Sequence, residues 1–235
     1  MARHESPTGG AINDTHLRLL TSAVQLFAER GFHGIGIRDL ASAAGISTSS
    51  LYHYMGTKEM LLFEIMHNAL GKLLRAAETI ESQHPDPGER LAAFVRMHVV
   101  THAVQRSASI VVDNELDALA ADDRDVIVVQ RDAYEAYWGR AIRDGIATKQ
   151  FSVPDPTVTR ICLLEMCSGV ARWFSSSGTR SIDQIAEAHV RIASGMLDMR
   201  AEAPDWTRPS GHFDVRSLVE DVWAIALPSK LETPR

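Results

Sequence analysis

The pair His98 and His102 is the clearest candidate for chemistry in this chain of 235 residues. Histidines four residues apart lie on one face of a helix, where they can bind a metal ion or flank a catalytic carboxylate. The segment lacks the glutamate beside the first histidine that a zinc-protease helix requires, and the third ligand would be Asp113 or Glu115. We therefore favour histidines of the core or of a pocket inside a helical bundle, where neutral imidazoles could hydrogen-bond a ligand. A small metal-dependent hydrolase built on the two histidines is the alternative.

Aromatic and sulfur-containing side chains recur at helical spacing in the same half of the chain, where they predict either a plain core or the wall of a pocket. Cys162 and Cys167 lie about 7.5 Å apart along one predicted helix, too far for a disulfide, and we expect both to be buried. We expect no catalytic residue, no metal ion and no cofactor. The candidate ligand-binding residues are Met97, His98, His102, Tyr134, Trp138, Glu165, Arg172 and Trp173.

The stretch 36–62 predicts two short helices joined by a glycine turn and followed by a long helix. Ile37, Leu40, Ala41 and Ala44 form one apolar stripe, and Gly45 can adopt the left-handed conformation that ends a helix. Ser47 is a plausible N-cap for the second helix, which buries Leu51 and Met55 and leaves Ser49, Ser50, His53 and Tyr52 on its other faces. Thr57 can cap the long helix. Lys58 in its first turn opposes the helix dipole, which suggests a contact with a phosphate. This arrangement predicts a helix-turn-helix that binds DNA.

The sequence from about Thr15 to Leu62 resembles the N-terminal domain of TetR-family transcriptional regulators. The motifs that carry the resemblance are F-A-E-R-G-F, I-R-D-L-A, L-Y-H-Y and T-K-E. It implies an all-helical homodimer whose C-terminal domain binds a small molecule and thereby releases operator DNA. Many relatives have Thr or Ser where this chain has Ile35 and Gly36, which puts one phosphate contact in doubt. The DNA-binding residues that the resemblance implies are Arg38, Thr48, Ser49, Ser50, Tyr52, His53, Tyr54, Thr57 and Lys58.

A looser resemblance covers several segments of the C-terminal half, including Arg172-Trp173-Phe174 and Phe151–Asp155. These segments are similar to a TetR-family branch that includes regulators of sterol and fatty-acid breakdown, some of which sense acyl-coenzyme A thioesters. The acidic character of this half argues mildly against a ligand with several phosphates. Arg131, Arg140 and Arg172 could offset it locally, and their interpretation as solvated helix-face charges is equally good.

The formal net charge of −6 is unexpected for a protein that binds nucleic acid, so its distribution matters. Residues 1–62 carry five basic and five acidic side chains, whereas the rest carries 19 basic and 25 acidic ones. A neutral DNA-binding unit on an acidic body suits a few directed phosphate contacts and weak non-specific affinity. No apolar run is long enough for a membrane span and residues 1–10 are polar, so we expect a cytoplasmic protein without a signal peptide.

The predicted organisation is all-α. A disordered tail covers residues 1–12, the helix-turn-helix domain covers 13–62, a helical ligand-binding and dimerisation domain covers 63–227, and a second tail covers 228–235. The first helix, from about Asn13 to Arg30, is predicted to bury Leu17, Leu20, Val24 and Phe27. The helix that starts at Lys58 runs through Ala77 and links the two domains. Helices at about 157–174 and 181–199 are the dimerisation candidates.

The sequence therefore predicts a ligand-responsive repressor that binds a pseudo-palindromic operator as a dimer, because one recognition helix reads only a few base pairs. Its effector is expected to be small and largely apolar, for example an acyl-coenzyme A thioester or an aromatic compound. Besides the hydrolase, a ligand-binding protein that has lost DNA recognition is the other alternative.

Overall fold

The computed structural model describes residues 9–198 and 214–227, and every regular element in these residues is a helix. The predicted tails at 1–8 and 228–235 lie outside the described residues, whereas residues 9–12 belong to the first helix and not to a tail. The helices are α1 (Gly9–Arg30), α2 (Ile37–Ala44), α3 (Thr48–Met55), α4 (Lys58–Gln83), α5 (Pro87–Val104), α6 (Arg106–Asn114), α7 (Ala121–Ala147), α8 (Pro156–Ser168), α9 (Val170–Trp173), α10 (Ile182–Met196) and α11 (Val215–Trp223).

The buried face of α1 differs from the predicted one. Leu19, Ala23 and Phe27 are buried, whereas Leu17 is 56% exposed and Leu20 is only partly buried. The apolar pattern of α1 is wide enough for two faces, and the helices that pack against α1, namely α2, α3, α4 and α6, bury Phe27 but leave Leu17 uncovered. The prediction that Leu17 lies in the core was therefore wrong.

Local capping forms the turn between α2 and α3. Gly45 has φ +68°, and the amide of Ile46 donates to the carbonyl of Ala41 at 3.0 Å, which closes α2. The hydroxyl of Ser47 accepts from the amide of Ser50 at 3.1 Å and caps α3. Leu51 on α3 is fully buried beneath the turn. The predicted helix-turn-helix is therefore present.

Helix α4 connects two units of the fold. The first unit contains α1, α2 and α3, and the second unit, which we call the body, contains α5 to α11. The N-terminus of α4 is capped by Thr57, whose hydroxyl accepts from the amide of Met60 at 3.1 Å. The first turns pack against α1 and α3, and the later turns pack against α5, α6 and α7. One apolar stripe, from Leu61 to Ile80, is buried along 20 residues of the helix. A shift of α4 relative to the body therefore moves the helix-turn-helix with it.

Helix α5 is the centre of the second unit. It packs against α4 and against every helix from α6 to α11, so most of its side chains are buried on all sides. Asp86 caps its N-terminus by accepting from the amide of Glu89 at 3.0 Å. Full burial explains why both His98 and His102 are inside the protein, although the helix has only a weak apolar stripe.

The later helices are capped by Asp155, Ser181 and Asp214, which each accept a hydrogen bond from the first turn of their helix. The predicted helix 157–174 is interrupted at Gly169, which divides it into α8 and α9. Cys167 is buried as predicted, but Cys162 is exposed, because it lies on the face of α8 that no described residue covers. Helix α6 was not predicted.

Candidate functional site

Helix α3 and the residues around it present a polar surface to solvent. Tyr52 is 55% exposed, and His53 beside it is exposed as well. The other candidate residues divide by burial: Tyr54 and Lys58 are half-buried, whereas Arg38, Thr48, Ser49, Ser50 and Thr57 are exposed. The turn and the two caps therefore hold seven of the nine predicted residues in positions that a large partner can contact.

The serines of α3 hydrogen-bond among themselves. The hydroxyl of Ser47 lies 2.9 Å from that of Ser49 and 2.8 Å from that of Ser50. These contacts are local and exposed, so a hydroxyl can exchange its partner for an external one at small cost. Ser49 and Ser50 are consequently held in place without being fully committed to the fold.

Lys58 has an internal role that the sequence did not reveal. Its ammonium donates to the carbonyls of Phe32 and Ile35, both at 2.9 Å, and lies 4.0 Å from the centre of the Phe32 ring. These contacts tie the turn between α1 and α2 to the start of α4. They explain a cation at this helix N-terminus without a phosphate.

Gly36 caps α2 in place of the Thr or Ser of many relatives. Its amide donates to the carboxylate of Asp39 at 2.8 Å, so the third residue of α2 provides the hydrogen bond that stabilises the start of the helix. The fold therefore does not need a hydroxyl at this position.

A cavity of about 170 Å³ lies in the second unit, between α4, α5, α6, α7 and α8. Five of the predicted ligand-binding residues line it, namely His98, His102, Tyr134, Glu165 and Arg172. Its wall on the side of α4 consists of Ala69, Leu70 and Leu73. The other lining residues are Thr101, Gln105, Ala108, Ser109, Val112, Asp113, Arg131, Glu135, Leu164, Ser168 and Trp223.

Both ring nitrogens of His98 have protein partners, with Nδ1 2.8 Å from the hydroxyl of Tyr134 and Nε2 2.9 Å from that of Ser168. Nδ1 of His102 donates to the carbonyl of His98 at 2.9 Å, and the two rings stack 3.8 Å apart. Burial lowers the pKa of His98 well below its ordinary value and that of His102 to about 4. Both rings are therefore neutral at physiological pH, and Nε2 of His102 is an acceptor without a partner among the described residues.

Charged side chains of both signs surround the mouth of the cavity. Burial raises the pKa of Asp113 to about 6, against the opposing effect of Arg131 and Arg172. The side chains of these two arginines and of Glu165 form no hydrogen bond or ion pair with any described residue. The mouth therefore has hydrogen-bonding capacity of both kinds and little net charge.

Three predicted ligand-binding residues lie outside the cavity. Met97 and Trp138 are fully buried in the core, where the Trp138 ring stacks on Phe94. Trp173 is exposed and stacks on the ring of His189. Helical spacing cannot distinguish a pocket wall from the core behind it, which is why these residues were misassigned.

The lining residues that the sequence did not identify include several from α6 and one from α11. Gln105, Ser109 and Asp113 lie on or beside the unpredicted helix α6, and Trp223 reaches the cavity from the end of the described chain. The sequence suggests Asp113 only as a third metal ligand. The strong apolar stripe of α11 was the available signal for Trp223.

Among the described residues, no group of three or more His, Cys, Asp or Glu side chains is arranged to hold a metal ion. His98 would also have to give up Tyr134 or Ser168 to bind one. Within 9–198 and 214–227, no helix is long and apolar enough to cross a membrane.

Two family models match the sequence. One describes bacterial regulatory proteins of the tetR family and matches residues 19–65; the other describes the tetracyclin repressor-like C-terminal domain and matches residues 84–197. The chain belongs to the TetR family of transcriptional regulators. TetR-family members are regulators and not enzymes, a classification that does not favour the hydrolase alternative.

Relatives and solved structures agree with the TetR family. The HTH-type transcriptional repressor KstR2 of Rhodococcus jostii is 28% identical over 176 residues, which cover 74% of this chain and 86% of that protein. The structure of PfmR from Thermus thermophilus is 28% identical, covers 77% of this chain and 98% of that chain, and has a TM-score of 0.69. AibR in complex with isovaleryl coenzyme A and operator DNA is 24% identical, with a TM-score of 0.70 over 79% of this chain and all of that chain, and shows the same fold.

Proposed function

We propose that this TetR-family protein is a repressor that binds operator DNA through α3 and leaves it when a small molecule enters the cavity. One observation carries the proposal: the cavity wall includes Ala69, Leu70 and Leu73 of α4, the helix whose first turns support the helix-turn-helix. A ligand that pushes on this wall acts on the only described helix that runs from one unit into the other. The coupling is therefore mechanical and short.

The DNA contacts follow from exposure and from the family resemblance. Ser49, Ser50, Tyr52 and His53 face base edges or the adjacent phosphates, and Tyr54 holds the backbone. Lys58 has one remaining N–H for a phosphate, because two point to Phe32 and Ile35. Arg38, Thr48 and Thr57 border the same surface. With a neutral DNA-binding unit, affinity depends on these few contacts, and its salt dependence is modest because few phosphates are neutralised.

A dimer supplies the second recognition helix. Val158 and Ile161 on α8 and Ile192 on α10 are large apolar side chains that are about half exposed. The two helices are neighbours, so these residues lie close enough to join in one interface. Burial of such a patch against its symmetry mate stabilises a twofold dimer and sets the distance between the two DNA-binding units.

The effector has a small apolar part, for which a short acyl chain or an aromatic ring is suitable. A dry cavity of about 150 Å³ holds one benzene molecule, so 170 Å³ accepts a group of that order. His102 Nε2 can accept a hydrogen bond from it. An acyl-coenzyme A thioester fits on condition that most of the coenzyme lies elsewhere. The DNA-bound and effector-bound states differ in the distance between the two DNA-binding units of the dimer, and the effector shifts the population between these states.

The test is a comparison of DNA sequences. Purified protein at physiological salt should bind a fragment of its own promoter region at least a hundredfold more tightly than random DNA of equal length. Equal affinity for both would refute the repressor and leave the alternative of a ligand-binding protein without DNA recognition. Since its target is chromosomal DNA, we place the protein in the cytoplasm.

A further inference from the structure

A second concave surface lies between the two units, and neither the DNA contacts nor the cavity uses it. It is a groove of about 570 Å³ with α1 on one side, the middle of α4 on the other and the start of α6 at its end. We call it the α1–α4 groove. Its described lining residues are Leu17, Leu20, Thr21, Val24, Gln25, Ile65, His67, Asn68, Ala69, Gly71, Lys72, Arg75, Val104, Gln105, Arg106, Ser107, Ala108 and Trp223.

The charge of this lining is entirely positive. Lys72, Arg75 and Arg106 contribute three cations, and His67 contributes an imidazole, whereas no described lining residue is Asp or Glu. The chain as a whole has six more acidic than basic residues, so this concentration of positive charge contrasts with the rest of the protein. A concave surface lined by one sign of charge attracts the opposite sign.

The cations on α4 are also without carboxylate partners. The side chains of Lys72 and Arg75 form no hydrogen bond or ion pair with a described residue, whereas Arg140 and Arg96 elsewhere in the body pair with Glu81 and Glu187. Burial and the neighbouring Arg75 lower the pKa of Lys72, which accords with a half-buried ammonium that lacks a counter-charge. Two neighbouring cations without a partner favour an anion from outside the protein.

The opposite wall of the groove is apolar. Leu17, Leu20 and Val24 are the α1 side chains that the sequence pattern assigns to a core but that the fold leaves partly or largely exposed. A ligand for this groove therefore combines an anionic part with an apolar or aromatic part.

The α1–α4 groove adjoins the cavity. Ala69, Gln105, Ala108 and Trp223 line both spaces. Of these four residues only Gln105 and Trp223 have side chains long enough to form a partition. A molecule with its small apolar end in the cavity can therefore continue into the groove past these two side chains.

We propose that the α1–α4 groove binds the phosphate-bearing part of the effector through Lys72, Arg75 and Arg106, while the apolar end occupies the cavity. This inference rests on the proposed function, because it assumes that the cavity holds an effector. It explains how a cavity of limited size serves a much larger molecule. It also places the ligand against α1 and α4 together, so binding fixes the DNA-binding unit relative to the body.

The experiment uses isothermal titration calorimetry to compare how two sets of thioesters with the same acyl groups bind to the full-length protein. One set consists of propionyl-, octanoyl- and benzoyl-coenzyme A, and the other of the corresponding N-acetylcysteamine thioesters, which lack the phosphates. We expect the best coenzyme A thioester to bind at least tenfold more tightly than its counterpart. The difference should shrink as salt is raised, because the extra contacts are ionic.

Two double variants with the same charge change test the site. Lys72→Gln/Arg75→Gln should reduce the affinity for the coenzyme A thioester to that of its N-acetylcysteamine counterpart, whose own affinity stays within threefold. The control Arg143→Gln/Lys149→Gln removes two exposed cations that line neither space and should leave both affinities unchanged. The charge-retaining Lys72→Arg/Arg75→Lys should keep most of the preference for coenzyme A.

Each contrary outcome has a separate meaning. Equal affinity of the wild type for both thioesters, or an equal loss for both in Lys72→Gln/Arg75→Gln, overturns the α1–α4 groove and leaves the cavity as the effector site. Binding of neither set overturns the thioester effector itself, and the groove proposal falls with it.

Discussion

The two units of the protein use the same kinds of side chain in opposite ways. In the helix-turn-helix, Tyr52 and His53 are exposed, and the hydroxyls of Ser49 and Ser50 each hydrogen-bond only the hydroxyl of Ser47. In the body, histidine, tyrosine and serine side chains are linked in one network in which both nitrogens of His98 are satisfied. The hydrogen bonds around His98 hold this network in one geometry, whereas the exposed polar groups of α3 are available to an external partner.

This difference shows why burial must be known before a polar residue is assigned a role. A buried polar group without a partner destabilises the fold, so the buried His98 obtains both of its hydrogen bonds from Tyr134 and Ser168 of the body. Exposed polar groups carry no such penalty because water hydrates them. The polar side chains on the surface of α3 are therefore available to contact DNA. The predictions below test that division.

The largest effect is expected from an aromatic residue of the body. Trp138→Ala removes a fully buried ring packed on Phe94 and should lower the free energy of unfolding by about 3–5 kcal/mol in urea denaturation. The matched change in the other unit, Tyr52→Ala, should stay within about 0.5 kcal/mol of the wild type. Similar losses for both variants would remove the contrast.

The body should also respond to acid more than the DNA-binding unit. Because burial lowers the folded-state pKa values of His98 and His102, only the unfolded chain takes up their protons between about pH 6.5 and 4.5, and stability falls with pH in that window. Asp113 acts in the opposite direction, since its pKa is raised to about 6 and the folded state gains that proton.

The net loss of unfolding free energy from pH 7 to 4.5 should be about 3 kcal/mol. Asp113→Asn should steepen the loss and His98→Gln/His102→Gln should flatten it, as measured by urea titrations at four pH values. A wild type more stable at pH 5 than at pH 7 would contradict the neutral histidine network.

Lys58 belongs to both categories and should show an intermediate effect. Lys58→Ala leaves the carbonyls of Phe32 and Ile35 without their charged donor and should cost about 1.5–3 kcal/mol in stability as well as operator affinity. Lys58→Arg should recover part of both. Unchanged thermal stability of Lys58→Ala would reduce this residue to a DNA contact alone.

The smallest change in free energy is expected for DNA binding by the exposed tyrosine. Tyr52→Ala should weaken binding to the promoter fragment about tenfold, equivalent to about 1.4 kcal/mol, with no change in the circular-dichroism melt. Tyr137→Ala in the body, away from α3, is the matched aromatic control and should leave DNA affinity unchanged. Equal DNA affinities of all three proteins would exclude Tyr52 from the interface.

The sequence predicted the fold well where the signal was local. Gly45, Ser47, Asp155 and Ser181 each act through a backbone contact within a few residues, so their roles can be predicted without tertiary information. The contacts of Lys58 with Phe32 and Ile35 span more than 20 residues, and nothing in the local pattern indicates them.

The candidate site was less predictable because cavities depend on several helices at once. The pattern identified His98 and Tyr134 but could not separate them from Trp138, which lies one turn further on and faces solid core. The apolar stripe of α11 indicates that Trp223 is buried, but it cannot indicate that the residue reaches a cavity formed by helices distant in sequence.

The most direct test of the account measures DNA and effector together. Binding of a labelled promoter fragment is followed by fluorescence anisotropy without and with saturating octanoyl-coenzyme A, after calorimetry has established that the ligand binds. We predict at least a tenfold rise in the Kd for the promoter and, by linkage, an equal loss of ligand affinity in the DNA complex. An unchanged promoter Kd at full ligand occupancy would contradict coupling through α4.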